Sequence, residues 1–250
     1  MKILVIAGLD PVGGAGIVAD LDALADLKIR AGVIVTALCA QNSSHVASFN
    51  PVSPEIIDEQ LQMVRDESEP TWLKVGMLAS SEQIERLGER LRPWRGRIVI
   101  DPVLRTSSGA APLHDLGIDA LRQRLFPLAA LVTPNLPEAH RLLDLTEATE
   151  SPARLAQALF DRYGVPFLVK GGHLAGSKID YLYDGALHLY EPEIPGLRAH
   201  RGTGCRLASH IAGDLSLGCP LIEAVRRGKH YIERYLFENL DRPHPPVFEE

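Results

Sequence analysis

The chain is poor in cysteine. Three residues, Cys39, Cys205 and Cys219, are far apart and odd in number. They fit neither a disulfide framework nor a zinc site, which points to a reducing cytoplasm. There is no basic run and the formal charge is −6 at pH 7, so a nucleic-acid partner is not expected. No apolar run reaches the roughly 20 residues of a membrane span. The opening stretch 1–8 is too short for a signal peptide's apolar region, and no cleavage pattern follows it. Repeats and low-complexity segments are also lacking. What remains, 46% hydrophobic and 23% charged residues, is ordinary globular composition. Residues 1–250 are enough for one large α/β domain with a substantial core.

Strand and helix signals alternate. Short apolar runs predict strands at 2–7, 32–38, 72–75, 97–100, 130–133 and 167–170, and apolar periodicity predicts helices at 17–27, 54–66, 80–91, 119–125, 136–143, 154–163, 204–217 and 221–240. Asp184-Gly185 between 180–183 and 187–190 signals a hairpin. The proline-rich tail 241–250 is expected along the surface. Such alternation implies a mostly parallel central sheet with helices on both faces, a three-layer sandwich. Ligands bind outside the carboxyl ends of the strands in such sheets. The glycine-rich and polar clusters fall at those ends: 8–16, Gln41-Asn42, Gly76-Met77, 101–109, Asn135 and Lys170-Gly171-Gly172.

The strongest chemical signal is Arg201-Gly202-Thr203-Gly204-Cys205, directly before an apolar-periodic helix. A helix start leaves N–H groups without partners and favours an anion. Flanking glycines let those groups approach a phosphate. Cys205 at that place is read as a thiol of lowered pKa, base or nucleophile, or as a small residue packed at a helix start. Asn135 and Glu138, three apart on one face, could organise magnesium through water or form a capping box. Asp101 at a strand end is either a second magnesium-side acid or a loop-bonding residue. Lys170 could neutralise phosphate, or simply precede a turn. Gln41 could read a heteroaromatic ring edge with its paired donor and acceptor or satisfy a loop. Met77 could cover a ring face, though a core methionine is the default. Asp20 on the first helix could be merely exposed.

Taken in order, these segments resemble the hydroxymethylpyrimidine and phosphomethylpyrimidine kinases of thiamine synthesis, within the ribokinase-like superfamily. The resemblance runs over about 3–235. It is carried by Ile6-Ala7-Gly8-Leu9-Asp10-Pro11 with Gly13-Gly14-Ala15-Gly16, Ala19-Asp20-Leu21, Thr36-Ala37-Leu38 with Ala40-Gln41-Asn42, and Lys74-Val75-Gly76-Met77-Leu78. Asp101-Pro102-Val103, Thr133-Pro134-Asn135-Leu136-Pro137-Glu138, Lys170-Gly171-Gly172-His173 and Gly202-Thr203-Gly204-Cys205 complete it. The resemblance implies magnesium-ATP as phosphoryl donor, a pyrimidine alcohol as acceptor and often a homodimer. It implies that Gly8, Ala15, Asp20, Gln41 and Met77 line the pyrimidine pocket. Gly202, Thr203 and Gly204 would stabilise the transferred phosphoryl group, and Cys205 would stand where related kinases place an aspartate base. Asn135 and Glu138 would organise Mg2+ with Asp101 nearby, and Lys170 would approach the ATP phosphates.

Three departures stand out. Ser107-Ser108-Gly109-Ala110 replaces the Lys-Ser-Gly-Asp usual after the Asp-Pro-Val segment. Arg201 stands where histidine is usual, and Arg206 where a small hydroxyl residue is usual. Two alternatives to the pyrimidine kinase follow: a pyridoxal-type kinase, because related enzymes handle that similar ring, and, because of these departures, a degenerate member that binds a pyrimidine, a phosphate ester or a partner protein without catalysis.

Overall fold

The computed structural model describes residues 1–42, 45–104, 113, 115–145, 150–171, 178–194, 196–197 and 201–240. The expectations placed on 105–112, on Gly172-His173 and on the tail 241–250 lie outside them.

Among the described residues nine strands form one sheet: β1 (Ile3–Leu9), β2 (Ala31–Gln41), β3 (Val46–Pro51), β4 (Trp72–Val75), β5 (Ile98–Ile100), β6 (Leu131–Val132), β7 (Phe167–Val169), β8 (Asp180–Tyr183) and β9 (Leu187–Tyr190). Their order is β3-β2-β1-β4-β5-β6-β7-β8-β9. From β2 to β7 neighbours run parallel. β3 at one edge, and β8 followed by β9 at the other, are added in antiparallel pairings.

Alternate residues of the central strands feed two separate cores, as the period-2 geometry of a strand requires. Leu4, Ile6, Leu73, Val75, Ile98 and Ile100 pack on one face. There they meet α2 (Pro54–Glu67), α3 (Ser81–Arg90), α4 (Asp115–Ala120), α5 (Leu136–Leu142) and α6 (Pro152–Tyr163). Ile3, Val5, Ala7, Val99 and Leu131 pack on the other. They meet α1 (Gly16–Asp26), α7 (Thr203–Ser216) and α8 (Leu221–Glu238). The three-layer expectation is met.

Local signals explain the helix starts. Ser53, Ser80 and Ser151 accept backbone N–H groups at the starts of α2, α3 and α6. Two element predictions need correction. The second strand continues past residue 38 to Gln41 and turns back as β3, an exposed edge strand whose residues show no apolar alternation. The helix predicted at 119–125 begins at Asp115 and passes into a π-turn, Leu121–Leu125.

Candidate active site

The loop from β1 to α1 is organised by a buried side chain. Asp10 Oδ1 accepts from the Val12 N–H at 3.1 Å and Oδ2 from the Ala15 N–H at 2.9 Å. This loop lies against the start of α7, where Gly202 is the N-cap with φ of 76°. A β-carbon there would lie 2.0 Å from the Gly14 carbonyl oxygen, so both the left-handed backbone and the contact require glycine. The first turn of α7, Thr203-Gly204-Cys205, has no intrahelical acceptors for its N–H groups. It thus presents donors and the positive end of a helix dipole.

Lys170, just after β7, reaches that turn. Its Nζ is 2.8 Å from Asp101 Oδ1 and would be 3.1 Å from a β-carbon at Gly204. Thr133 Oγ1 donates to the same Asp101 oxygen at 3.4 Å. Burial opposes ionisation of Asp101, but Lys170 and then Lys74 outweigh it and hold the carboxyl below its usual range. Burial likewise opposes the Lys170 charge, and Asp101 with Glu138 overrides it.

Asn135 and Glu138 do form the reciprocal capping box. Asn135 Oδ1 accepts from the Glu138 N–H at 2.9 Å, and Glu138 Oε2 accepts from the Asn135 N–H at 2.8 Å. Glu138 Oε1 also accepts from the Leu104 N–H at 3.3 Å. The residue is nonetheless part of the site's field. Burial pushes its carboxyl up to about 7, with Lys170 opposing and Asp101 adding. Among the described residues no cluster of three or more His, Cys, Asp or Glu side chains is arranged for a metal.

The expectation that the helix terminus lowers the Cys205 thiol is corrected. Burial pushes it up to about 12, with Lys74 opposing and Asp101 and Asp20 adding. The thiol also hydrogen-bonds the Asp101 carboxylate, which stabilises the protonated form. Burial, with the two carboxylates adding to it, outweighs the favourable charge of Lys74.

Asp20 is not exposed: both it and Lys74 are fully buried, 2.8 Å apart. Ser209 Oγ donates to the same Asp20 oxygen at 2.8 Å. Both of these bonds end on Oδ1, while Asp20 Oδ2 is buried with no hydrogen-bond partner among the described residues. Burial opposes the Lys74 charge, and Asp20, Cys205 and Asp101 hold the ammonium above its ordinary range. Lys74 and Ser209, to which the sequence assigned no role, are the buried partners of Asp20. The available signal was a lysine inside the apolar strand Trp72-Leu73-Lys74-Val75, since lysine is almost never fully buried unless paired.

On the opposite rim, Gly8 and Met77 touch: a β-carbon at Gly8 would lie 2.5 Å from Met77 Cε. Met77 is 9% exposed and packs with Ala37 and Ala79, and its carbonyl accepts from Thr36 Oγ1 at 2.6 Å. Ala15 is the N-cap of α1. Gln41 ends β2, paired with Val46 and partly exposed. Beside Gly204 a cavity of about 110 Å³ is lined by Lys170, Thr203, Leu197, Leu207, Ile232 and Leu236, together with the charged Lys178, Asp180, Lys229 and Glu233.

This arrangement can bind an anion at a helix start beside a lysine, next to a neutral thiol. The sequence profile of the phosphomethylpyrimidine kinase family matches residues 10–245. The chain is 42% identical over 254 aligned positions to a thiamine biosynthesis bifunctional protein of Geobacter sulfurreducens, covering 98% of this chain and 51% of that one. It thus spans about half the length of that relative. It is 39% identical to the hydroxymethylpyrimidine/phosphomethylpyrimidine kinase of Rhizobium meliloti, covering 92% and 88% of the two chains. A crystal structure of phosphomethylpyrimidine kinase from Clostridium difficile superposes with a TM-score of 0.80 at 31% identity, covering 94% and 99%. Staphylococcus aureus pyridoxal kinase in complex with pyridoxal gives 0.82 at 28% identity, covering 92% and 86%.

Proposed function

The chain belongs to the phosphomethylpyrimidine kinase family, and on that premise we propose that it moves the γ-phosphoryl group of ATP to the hydroxymethyl group of 4-amino-5-hydroxymethyl-2-methylpyrimidine, and then to the resulting monophosphate. The observation that carries this reading is the convergence of the Gly202-Thr203-Gly204-Cys205 turn with Lys170 and Asp101, 3.1 and 3.7 Å from a β-carbon at Gly204. Phosphoryl transfer is mainly positioning and charge stabilisation, and these groups supply both. The amides of 202–204 receive the charge that spreads over the transferred group, and Lys170 approaches the phosphates. The cavity beside Gly204 receives the nucleotide's flat ring. Asp101 and Glu138 would hold Mg2+, through water, and the ion would neutralise phosphate charge.

The pyrimidine side is assigned to Gly8, Ala15, Gln41 and Met77, with the Gln41 amide reading the ring edge and Met77 covering a face. Cys205 orients the alcohol. Its sulfur takes the hydroxyl proton as its own proton passes to Asp101, while the new P–O bond forms and the bond to ADP breaks. By then the alcohol oxygen is strongly acidic, so a carboxylate of lowered pKa still suffices. A homodimer and a cytoplasmic setting belong to the same reading. No helix among the described residues is long and apolar enough to cross a membrane.

The test is a coupled ATP-consumption assay with the pyrimidine alcohol, its monophosphate and pyridoxal in parallel, with magnesium and then with chelator. Magnesium-dependent turnover of either pyrimidine supports the proposal. Turnover of pyridoxal alone moves the substrate to the second reading, which the likeness to pyridoxal kinases favours. Silence on all three from a folded protein that binds the pyrimidine leaves a binder. Gln41→Leu should weaken pyrimidine binding, because a ring donor and acceptor lose their partners; unchanged affinity removes Gln41 from recognition.

A further inference from the structure

Two arginines at the start of α7 are committed to the protein itself. Arg201, with a side chain 6% exposed, donates to Asp10 Oδ2 at 2.9 Å and to the Asn42 carbonyl. Arg206, with a side chain 3% exposed, donates to the Gly14 carbonyl at 3.0 Å and to Asp22 Oδ2 at 2.9 Å. Its guanidinium also lies 4.4 Å from the ring centre of Tyr235 on α8. Asp10 in turn holds the Val12 and Ala15 amides. The loop 10–16 is therefore gripped at its start through Asp10 and at its middle through Gly14. The α7 turn that does the gripping supplies the anion-binding amides.

The chemistry of this grip is particular to arginine. Its planar fork serves two acceptors at once and stays charged when buried. The histidine and small hydroxyl residue usual at these two positions carry no such fork. A loop with glycine at 13, 14 and 16 would otherwise sample many conformations.

We propose that Arg201 and Arg206 are positioning residues that clamp the glycine loop 10–16 onto the start of α7, so that the alcohol pocket wall and the phosphoryl-binding amides are in register before either substrate arrives. The catalytic consequence rests on the kinase reading given above, whereas the clamp itself does not. Preorganisation of this kind shows mainly as tighter capture of the ligand whose pocket the loop forms. The alcohol side should therefore respond more than the nucleotide side.

The experiment uses the full chain and the variants Arg201→Met, Arg206→Met, Asp10→Asn and the Asp10→Asn/Arg201→Met double. Hydrogen exchange without ligand is read over 10–16, with α3 as internal control. Loss of one charge-assisted bond should speed exchange of the loop about tenfold or more while α3 is unchanged. In kinetics, KM for the pyrimidine alcohol should rise about tenfold and KM for magnesium-ATP by less than about twofold. The double variant should behave like the worse single. Arg201→Lys and Arg206→Lys give the same readouts if a methionine variant does not fold, and each should recover only part of the protection.

Unchanged exchange over 10–16 overturns the clamp. So does an equal rise in both KM values, or loosened exchange with both KM values unchanged. A wild-type chain that phosphorylates no alcohol sinks the kinase reading, and the exchange measurement then decides the clamp alone.

Discussion

Lys74 Nζ and Asp20 Oδ1 are 2.8 Å apart and both side chains are fully shielded from solvent. The pair joins the sheet through β4 to α1, and Ser209 brings α7 to the same oxygen. A charge so placed is tolerable only while its partner is present. The neighbouring thiol and Asp101 feel the same ammonium, so the pair links fold stability to the field at the anion-binding turn.

Removing one partner should therefore cost far more than removing both. Lys74→Met should lower unfolding stability by about 3–5 kcal/mol, the range for an abandoned buried charge. The double variant Lys74→Met/Asp20→Leu should recover most of that. Urea unfolding of wild type, both singles and the double measures the coupling. Additive losses would show that the pair does not act as a unit.

The Cys205 thiol, pushed up to about 12, should be a poor nucleophile despite its place at a helix start. At pH 7.5 its thiolate fraction is roughly a thousandfold below that of an ordinary cysteine. Iodoacetamide should thus label it far more slowly than a model thiol, with Lys74→Met slowing it further. Cys205→Ala should lower kcat by about a hundredfold or more with unfolding unchanged. Rapid labelling at neutral pH would contradict the electrostatic account. Unchanged turnover would remove the residue from the mechanism.

The layers and most elements were legible because the central strands are apolar on both faces and the helices on one. That pattern survives in single residues such as Ile6 and Val5, which feed opposite cores. β3 was not legible: it is stabilised by pairing with β2 and carries no buried apolar face of its own. In the site, the order of glycine and acid clusters pointed to the rim where Lys170, Asp101 and Gly204 meet. Electrostatics were harder to read. The Cys205 shift is set first by burial, then by Lys74, Asp101 and Asp20, all of which reach the sulfur only through the fold. Local reasoning saw only the helix terminus. The same holds for Glu138, where the capping box predicted from four consecutive positions is real, yet burial and Asp101 set its protonation.

Glu138 gives a pH dependence with a definite sign. Its folded value, about 7, lies above that of an exposed glutamate, so the folded chain binds the proton more tightly. The associated stability is present below about pH 4 and is lost as pH rises through about 7. A shift of this size corresponds to on the order of 3 to 4 kcal/mol. Glu138→Gln removes the titration and leaves a constant offset, because the amide keeps one acceptor and turns a donor toward the Leu104 N–H. Stability measured from pH 4.5 to 8 should therefore fall more steeply for wild type than for the variant. Parallel curves would place the ionisation elsewhere.

Gly202 and Gly164 separate backbone strain from site geometry. Both have positive φ, 76° and 70°. Gly164 ends α6, and a β-carbon there would meet nothing within 4 Å. Alanine at 164 should cost about 1–2 kcal/mol for the left-handed backbone and leave turnover unchanged. Alanine at 202 bears the same strain and also meets the Gly14 carbonyl at 2.0 Å, so the loop and the α7 turn must part. A displacement near 1 Å at the transferred group costs about a hundredfold in rate. Gly202→Ala should therefore lose at least that factor in kcat at a temperature where it remains folded. Equal turnover in the two variants would mean that the contact between the loop and α7 has no part in placing the phosphoryl group.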